Sequence, residues 1–222
     1  MTRPPAVAVM AKVPGEVPVK SRLHAALTPE RATALYRCFL LDRLDALAAV
    51  AGVCPVVAFT PAHARAEMAA LAPPRVPLLA QEGEDLSARL THVFERLFDG
   101  GHAAVIALDS DSPTLPMAYV TQAADALTLA KADVVIGPTD DGGYYLIGVG
   151  RRQPALFDGI PWSTSATRAA TEARARDLGL SVLLLPRWFD VDTPEDLQRL
   201  RVDLAGHATA PRTAGFLGTL AC

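Results

Sequence analysis

Aspartates recur in this chain at a spacing that suits chemistry on a metal-bound phosphate. Asp109 and Asp111 stand one residue apart at the end of an apolar run, and Asp190 and Asp192 repeat the spacing near the end of the chain. In extended backbone, residues i and i+2 point the same way, so each pair directs two carboxylates to one side. Two carboxylates facing a single point suit a hard cation with oxygen ligands, Mg²⁺ or Mn²⁺. Two such pairs after two strands fit a cation that bridges a diphosphate. A local reading competes with this one. Asp111 or Ser112 could cap the next helix through an Asx-type turn, and Asp192 could support the helix that starts at Thr193-Pro194-Glu195.

Two further clusters carry polar chemistry. Lys12, Lys20 and Arg22 lie in a loop shaped by Pro14, Gly15 and Pro18. A lysine supplies a point charge and an arginine a planar fork, and both suit phosphate oxygens. The loop matches neither a Walker A nor a G-x-G-x-x-G pattern, and a solvated basic loop is the alternative. Asp140, Asp141, Gly142 and Gly143 form the second cluster. The glycines permit a tight turn between strands. They equally let a substrate approach the backbone, with Asp141 accepting hydrogen bonds from hydroxyls or acting as a base. Trp162, in a Pro-Trp-Ser-Thr loop, could line a substrate pocket. The histidines show no ligand spacing, and Ser110 and Ser112 lack the G-x-S-x-G context of a serine hydrolase.

Strands and helices must place these clusters together. Short apolar runs at 6–11, 56–59, 76–79, 103–108, 134–137, 144–149 and 181–185 read as strands, several with the unbroken hydrophobicity of a sheet buried on both faces. Helical periodicity fills the gaps. Thr28-Pro29-Glu30, Thr60-Pro61 and Thr193-Pro194-Glu195 read as helix starts, and a helix is expected from about 116 to 130 and from 165 to 178. Alternation of this kind argues for an α/β sheet with helices on both faces. The short link from Gly137 to Tyr144 allows one antiparallel strand. All four polar clusters then follow strands, where open α/β sheets bind ligands. From Gly206 onward Ala, Thr, Gly and Pro dominate, which reads as a loosely ordered tail over 206–222 after a single domain over 1–205.

The 222 residues are half hydrophobic, ample for one core, and the formal net charge of −3 gives no basic footprint for nucleic acid. Cys38, Cys54 and Cys222 form no metal-ligand spacing and fit a reduced, cytoplasmic protein, with Cys38 and Cys54 as small core residues. The apolar stretches are too short and too punctuated to span a bilayer.

The ordered set of motifs resembles a family of bacterial GT-A-fold glycosyltransferases. These belong with the nucleotide-diphospho-sugar transferases and are associated with radical-SAM, selenodomain and arsenosugar-biosynthesis genes. The resemblance rests on Met10-Ala11-Lys12 with Val19-Lys20-Ser21-Arg22-Leu23, Gly83-Glu84-Asp85-Leu86, Asp111-Ser112-Pro113-Thr114-Leu115, the run from Gly137 to Gly148, Ile160-Pro161-Trp162-Ser163-Thr164 and the run from Asp190 to Leu197. It implies a three-layer α/β/α sandwich with a mostly parallel, Rossmann-like sheet. It also implies a nucleotide in the N-terminal half and a small-molecule acceptor in the C-terminal half. By this likeness Asp109, Asp111 and Asp192 would hold Mg²⁺ or Mn²⁺. Relatives commonly carry glycine at the position of Asp109, which leaves Asp111 the central ligand. A similar Lys-x-Arg-Leu loop occurs in phospholactate guanylyltransferases.

The expectation is a metal-dependent transferase with a nucleotide donor, most simply one moving a glycosyl group from a nucleotide-sugar to a small acceptor. Lys12, Lys20 and Arg22 would hold phosphate, Asp140, Gly142, Gly143 and Trp162 the acceptor, and Asp141 would be the base. The alternatives are a nucleotidyltransferase that takes a nucleoside triphosphate and releases pyrophosphate, and a nucleotide-binding module without catalysis.

Overall fold

The structure, a computed structural model, describes residues 2–206 and 209–220, so His207 and Cys222 lie outside the described residues. The strands are β1 (Ala6–Lys12), β2 (Cys54–Thr60), β3 (Leu78–Ala80), β4 (Val105–Leu108), β5 (Val134–Pro138), β6 (Tyr144–Val149) and β7 (Val182–Leu184). The helices are α1 (Pro29–Ala48), α2 (Arg65–Leu71), α3 (Leu86–Asp99), α4 (Met117–Thr128), α5 (Thr167–Asp177), α6 (Pro194–Gly206) and α7 (Pro211–Thr219). The strands form one seven-stranded sheet in the order β3-β2-β1-β4-β6-β5-β7.

β1 pairs in parallel with β2 and β4, whereas β6 runs antiparallel to both β4 and β5. The reversal expected between Gly137 and Tyr144 is therefore present, and β6 is inserted between β4 and β5. Every residue of β4 is buried, as its unbroken apolar run requires of a strand covered on both faces. One face of the sheet packs against α1, α2 and α4 through Val7, Val9, Leu40, Leu44, Met68 and Val120. The other packs against α3 and α5 through Ala6, Ala8, Leu90, Phe94, Val105 and Ala175. This is a three-layer α/β/α, Rossmann-like arrangement. A third cluster joins α1, α6 and α7 around Leu35, Phe39, Leu200 and Leu217.

Local chemistry explains where the elements begin. Thr28 caps α1 by accepting from the Arg31 amide. Asp85 caps α3 by accepting from the Ala88 amide at 2.8 Å. At α6 the Asp196 carboxylate accepts from the Thr193 amide at 2.8 Å, while the Asp196 amide donates to the Thr193 hydroxyl, a reciprocal capping box.

Three expectations need correction. Thr60-Pro61 does not open a helix. β2 runs through Thr60, residues 61–64 form a bend and a turn, and α2 starts only at Arg65. The region expected to be a loose tail contains α7, which packs on α1. Ala210, at its N-cap, makes no side-chain cap. The buried Asp42 of α1 substitutes for it, accepting from the amides of Arg212 at 3.1 Å and Thr213 at 2.8 Å. Cys38 and Cys54 carry free thiols and are only half-buried, so neither is a full core residue.

Candidate active site

The carboxyl ends of β1 and β4 open onto two adjoining clefts of about 470 and 480 Å³. Both are lined by Arg22, Leu86, Asp109, Asp111, Ser163 and Asp192. The first extends over β1 and the basic loop, where Lys12, Tyr36, Gln81 and Arg89 face it. The second extends toward the β5–β6 turn, where Asp141, Gly143, Tyr144, Trp162 and Asp190 face it.

The two Asp-x-Asp segments meet directly. The Val191 amide donates to the carbonyl of Asp111 at 3.0 Å, which sets Asp192 beside Asp111. Their carboxylates converge on the ammonium of Lys20, 2.7 Å from Asp111 Oδ1 and 2.9 Å from Asp192 Oδ1. The Lys20 side chain is only 3 % exposed. Burial alone lowers the pKa of this ammonium, but Asp111 and Asp192 outweigh it and hold it above the ordinary lysine value. Arg22 stands at the rim, 69 % exposed and 3.6 Å from the other oxygen of Asp192.

Asp109 does not share that point. The chain bends at Ser110 and Asp111, so the extended geometry that would align the two aspartates is lost. Ser110 is turned inward, donating to the Met10 carbonyl at 3.1 Å and meeting the Tyr36 hydroxyl at 3.0 Å. Asp109 accepts from the Ser112 hydroxyl and lies 3.6 Å from the guanidinium of Arg43. Burial pushes the Asp109 carboxyl up to about 6, against the pull of Arg43. Arg43 itself is 1 % exposed and donates to the Ser112 carbonyl. Among the described residues its Nε and Nη1 have no hydrogen-bond partner. It is the residue that sequence reasoning missed, although an arginine between Leu40 and Leu44 on the buried stripe of α1 was the available signal.

The remaining expected site residues divide. Lys12 is exposed at the mouth of the first cleft, its backbone N–H donating to the Tyr36 hydroxyl at 3.0 Å. Trp162 faces the second cleft with its Nε1 donating to the Ser87 hydroxyl at 2.7 Å. Asp141 faces the same cleft, but its Oδ1 already accepts from the Thr139 hydroxyl and the Gly143 amide, as in a local turn. Asp140 is turned away to Arg199 at 2.6 Å and Arg187 at 3.7 Å and lines neither cleft. Gly142 is required by packing. At φ +92° any Cβ would fall 2.2 Å from the Ser165 carbonyl oxygen. Gly143 borders the second cleft. Asp190 also faces it, and burial, with Asp192 and Asp141 adding repulsion, pushes its carboxyl up to about 7.

Among the described residues, no three His, Cys, Asp or Glu side chains are gathered into a ready metal cage. Mg²⁺, however, is commonly held by one or two carboxylates plus substrate phosphates. Asp111 and Asp192 supply two oxygens aimed at one point, so their chemistry fits, provided that Lys20 leaves that point. Asp109 is instead engaged by Arg43 and Ser112.

Residues 43–164 match the model of a bacterial family described as "Uncharacterized protein conserved in bacteria (DUF2064)". The chain belongs to this family. It is also similar to the crystal structure of a protein from Desulfovibrio desulfuricans G20 assigned as a nucleotide-diphospho-sugar transferase. That likeness has 33 % identity and a TM-score of 0.89, covering 97 % of this chain and 94 % of the other. More distant structures share the fold. One is CMP:2-keto-3-deoxy-manno-octonic acid synthetase in complex with CTP, at 14 % identity and a TM-score of 0.59, with 91 % and 99 % of the two chains covered. Another is Rv0371c of Mycobacterium tuberculosis H37Rv in complex with manganese, at 15 % identity and a TM-score of 0.53, with 90 % and 98 % covered. A search of curated protein sequences gives no significant match. Among the described residues no helix is long and apolar enough to cross a membrane.

Proposed function

We propose that the chain is a metal-dependent glycosyltransferase that takes a nucleotide-diphospho-sugar and a small-molecule acceptor. The carrying observation is the convergence of Asp111, Asp192 and Lys20 at the boundary of two clefts. The first cleft, with Lys12, Lys20, Arg22 and Arg89 around it, suits a nucleotide and its phosphates. The second, with its carboxylates and Trp162, suits a hydroxylated acceptor. The likeness to an assigned nucleotide-diphospho-sugar transferase supports the same reading.

Asp111 and Asp192 would hold Mg²⁺ or Mn²⁺, which when bound supplies charge neutralisation for a departing diphosphate. Lys20 and Arg22 then bind the outer phosphate. Trp162 and Tyr144 wall the acceptor side, their rings edge to face with centroids 6.2 Å apart. Of the two carboxylates there, Asp190, held near neutrality, is better poised than the turn-bound Asp141 to take a proton from an acceptor hydroxyl.

A second reading, nucleotidyl transfer with pyrophosphate release, draws on Arg89. It adds a cation to the first cleft beyond the basic loop, and its Nε donates to the Gly83 carbonyl at 3.0 Å. Calorimetric titration tests the shared ground. UDP, GDP and CDP are titrated with and without Mn²⁺, and at least one binds more tightly with the metal. Identical affinities with and without Mn²⁺ for all three would refute a metal-assisted diphosphate site.

A further inference from the structure

We propose that Lys20 is a displaceable counter-ion. Its ammonium keeps the cation's place between Asp111 and Asp192 until a nucleoside diphosphate draws it onto phosphate, so nucleotide and divalent cation bind cooperatively. The inference rests on the metal-assisted diphosphate reading above.

Three observations carry it. The first is position. A single nitrogen lies within 2.9 Å of one oxygen from each carboxylate, so the point best suited to a divalent cation is filled by the protein's own charge. The second is incomplete neutralisation. One ammonium faces two carboxylates; Arg22 reaches only Asp192, at 3.6 Å and from an exposed position, and the buried Arg43 acts on Asp111 while paired to Asp109. The site therefore retains an attraction for a doubly charged ion. The third is the chemistry of the side chain and its place in the loop. A lysine ammonium is a point charge on a flexible stem, with no planar fork to lock it in register. It projects from a residue at φ +51°, left-handed for a residue other than glycine, directly before the 3₁₀ turn Ser21–Ala25 that carries Arg22. Both basic side chains thus sit beside the cleft over β1, and Lys20 can leave the carboxylates for a phosphate without rearrangement of the sheet.

Two cations cannot share the point. Phosphate binding by Lys20 frees Asp111 and Asp192, and a divalent cation at those carboxylates favours Lys20 on phosphate. By linkage, each ligand raises the affinity of the other by the same factor.

The test is titration of Mn²⁺ into the full chain by calorimetry, with wild type, Lys20→Met, Lys20→Gly and Arg22→Met, alone and with UDP, GDP or CDP. Lys20→Gly suits the left-handed backbone and serves if the methionine variant fails to fold, as judged by its melting curve. Wild type is expected to bind Mn²⁺ weakly alone and at least tenfold more tightly with a nucleoside diphosphate. Without nucleotide, the Lys20 variants should bind Mn²⁺ at least tenfold more tightly than wild type. Arg22→Met, which removes the same charge from the rim, should change it less than threefold. Equal Mn²⁺ affinity in wild type and the Lys20 variants would overturn the displacement while leaving the metal site standing, as would an equal gain from Arg22→Met. Failure of every protein to bind Mn²⁺, even with all three nucleotides, would overturn the metal reading and this inference with it.

Discussion

The guanidinium of Arg43 lies 3.6 Å beneath the Asp109 carboxylate, with the Arg43 side chain 1 % exposed. A charge removed from water this completely is tolerated because it is paired and bonded to the Ser112 carbonyl. The pair stiffens the turn that presents Asp111. Arg43→Met should lower stability by about 3–5 kcal/mol, because it leaves a buried carboxylate without its partner. Denaturant unfolding measures this. In the double variant with Asp109→Gly the loss should be smaller than in Arg43→Met alone, and strict additivity of the two changes would show that the pair is not coupled.

Asp109 and Asp111 differ in what faces them, and their variants should differ accordingly. Asp111→Asn should abolish the Mn²⁺ dependence of nucleotide binding with the fold intact. Asp109→Gly should retain that dependence, since its carboxylate is engaged by Arg43 and Ser112. Calorimetry with and without Mn²⁺ separates them, and the reverse ranking would restore Asp109 as a ligand.

The half-buried carboxyl of Asp190 gives a pH signature. Its folded value, about 7, lies above the unfolded one, so the folded state holds a proton that the unfolded state has released. The stability this contributes is fully present below about pH 4 and is lost as pH rises through about 7. Asp190→Asn removes the dependence. Without divalent cation, the variant's stability relative to wild type should rise by about 1–2 kcal/mol between pH 4 and pH 8, after allowance for partial exposure. Parallel stability curves for the two proteins would contradict the shift.

α7 packs on α1 through Leu217 and is capped by a buried carboxylate of α1, Asp42. Asp42→Ala should destabilise by about 2–3 kcal/mol, because the amides of Arg212 and Thr213 lose their acceptor. Asp42→Asn should recover part of it by keeping one carbonyl oxygen. Hydrogen exchange over residues 211–219 follows the effect directly: faster exchange in the alanine variant, partial recovery in the asparagine one.

These residues also show where the sequence was readable. The buried run of β4, the reversal before β6 and the helix start at Thr193-Pro194-Glu195 are local patterns, and each took the form its pattern implied. So did the placement of Lys20, Asp111 and Asp192 at one sheet edge, because strand ends share an edge whatever the helices do. Misreadings arose where a partner distant in sequence decides the outcome. α7 looked like a tail because its cap, Asp42, stands 170 residues away from Arg212. Asp109 looked like a partner for Asp111 because Arg43 was hidden in an apolar stripe. Gly142 looked like a place for substrate because nothing local reveals the Ser165 carbonyl against it. Lys20 was legible as a basic residue of the loop after β1, but its seat between two carboxylates was not.

Product analysis with Mg²⁺ or Mn²⁺ tests the identity of the donor most directly. Purified protein is incubated with UDP- and GDP-hexoses and, separately, with each nucleoside triphosphate plus a small phosphorylated acid, while nucleoside diphosphate and pyrophosphate are both measured. The expected result is slow release of nucleoside diphosphate from a nucleotide-sugar, or a melting temperature raised by about 5 °C or more at saturation, with no pyrophosphate from any triphosphate. Pyrophosphate release from GTP or CTP, with no response to any nucleotide-sugar, would contradict the glycosyl reading and establish nucleotidyl transfer in its place.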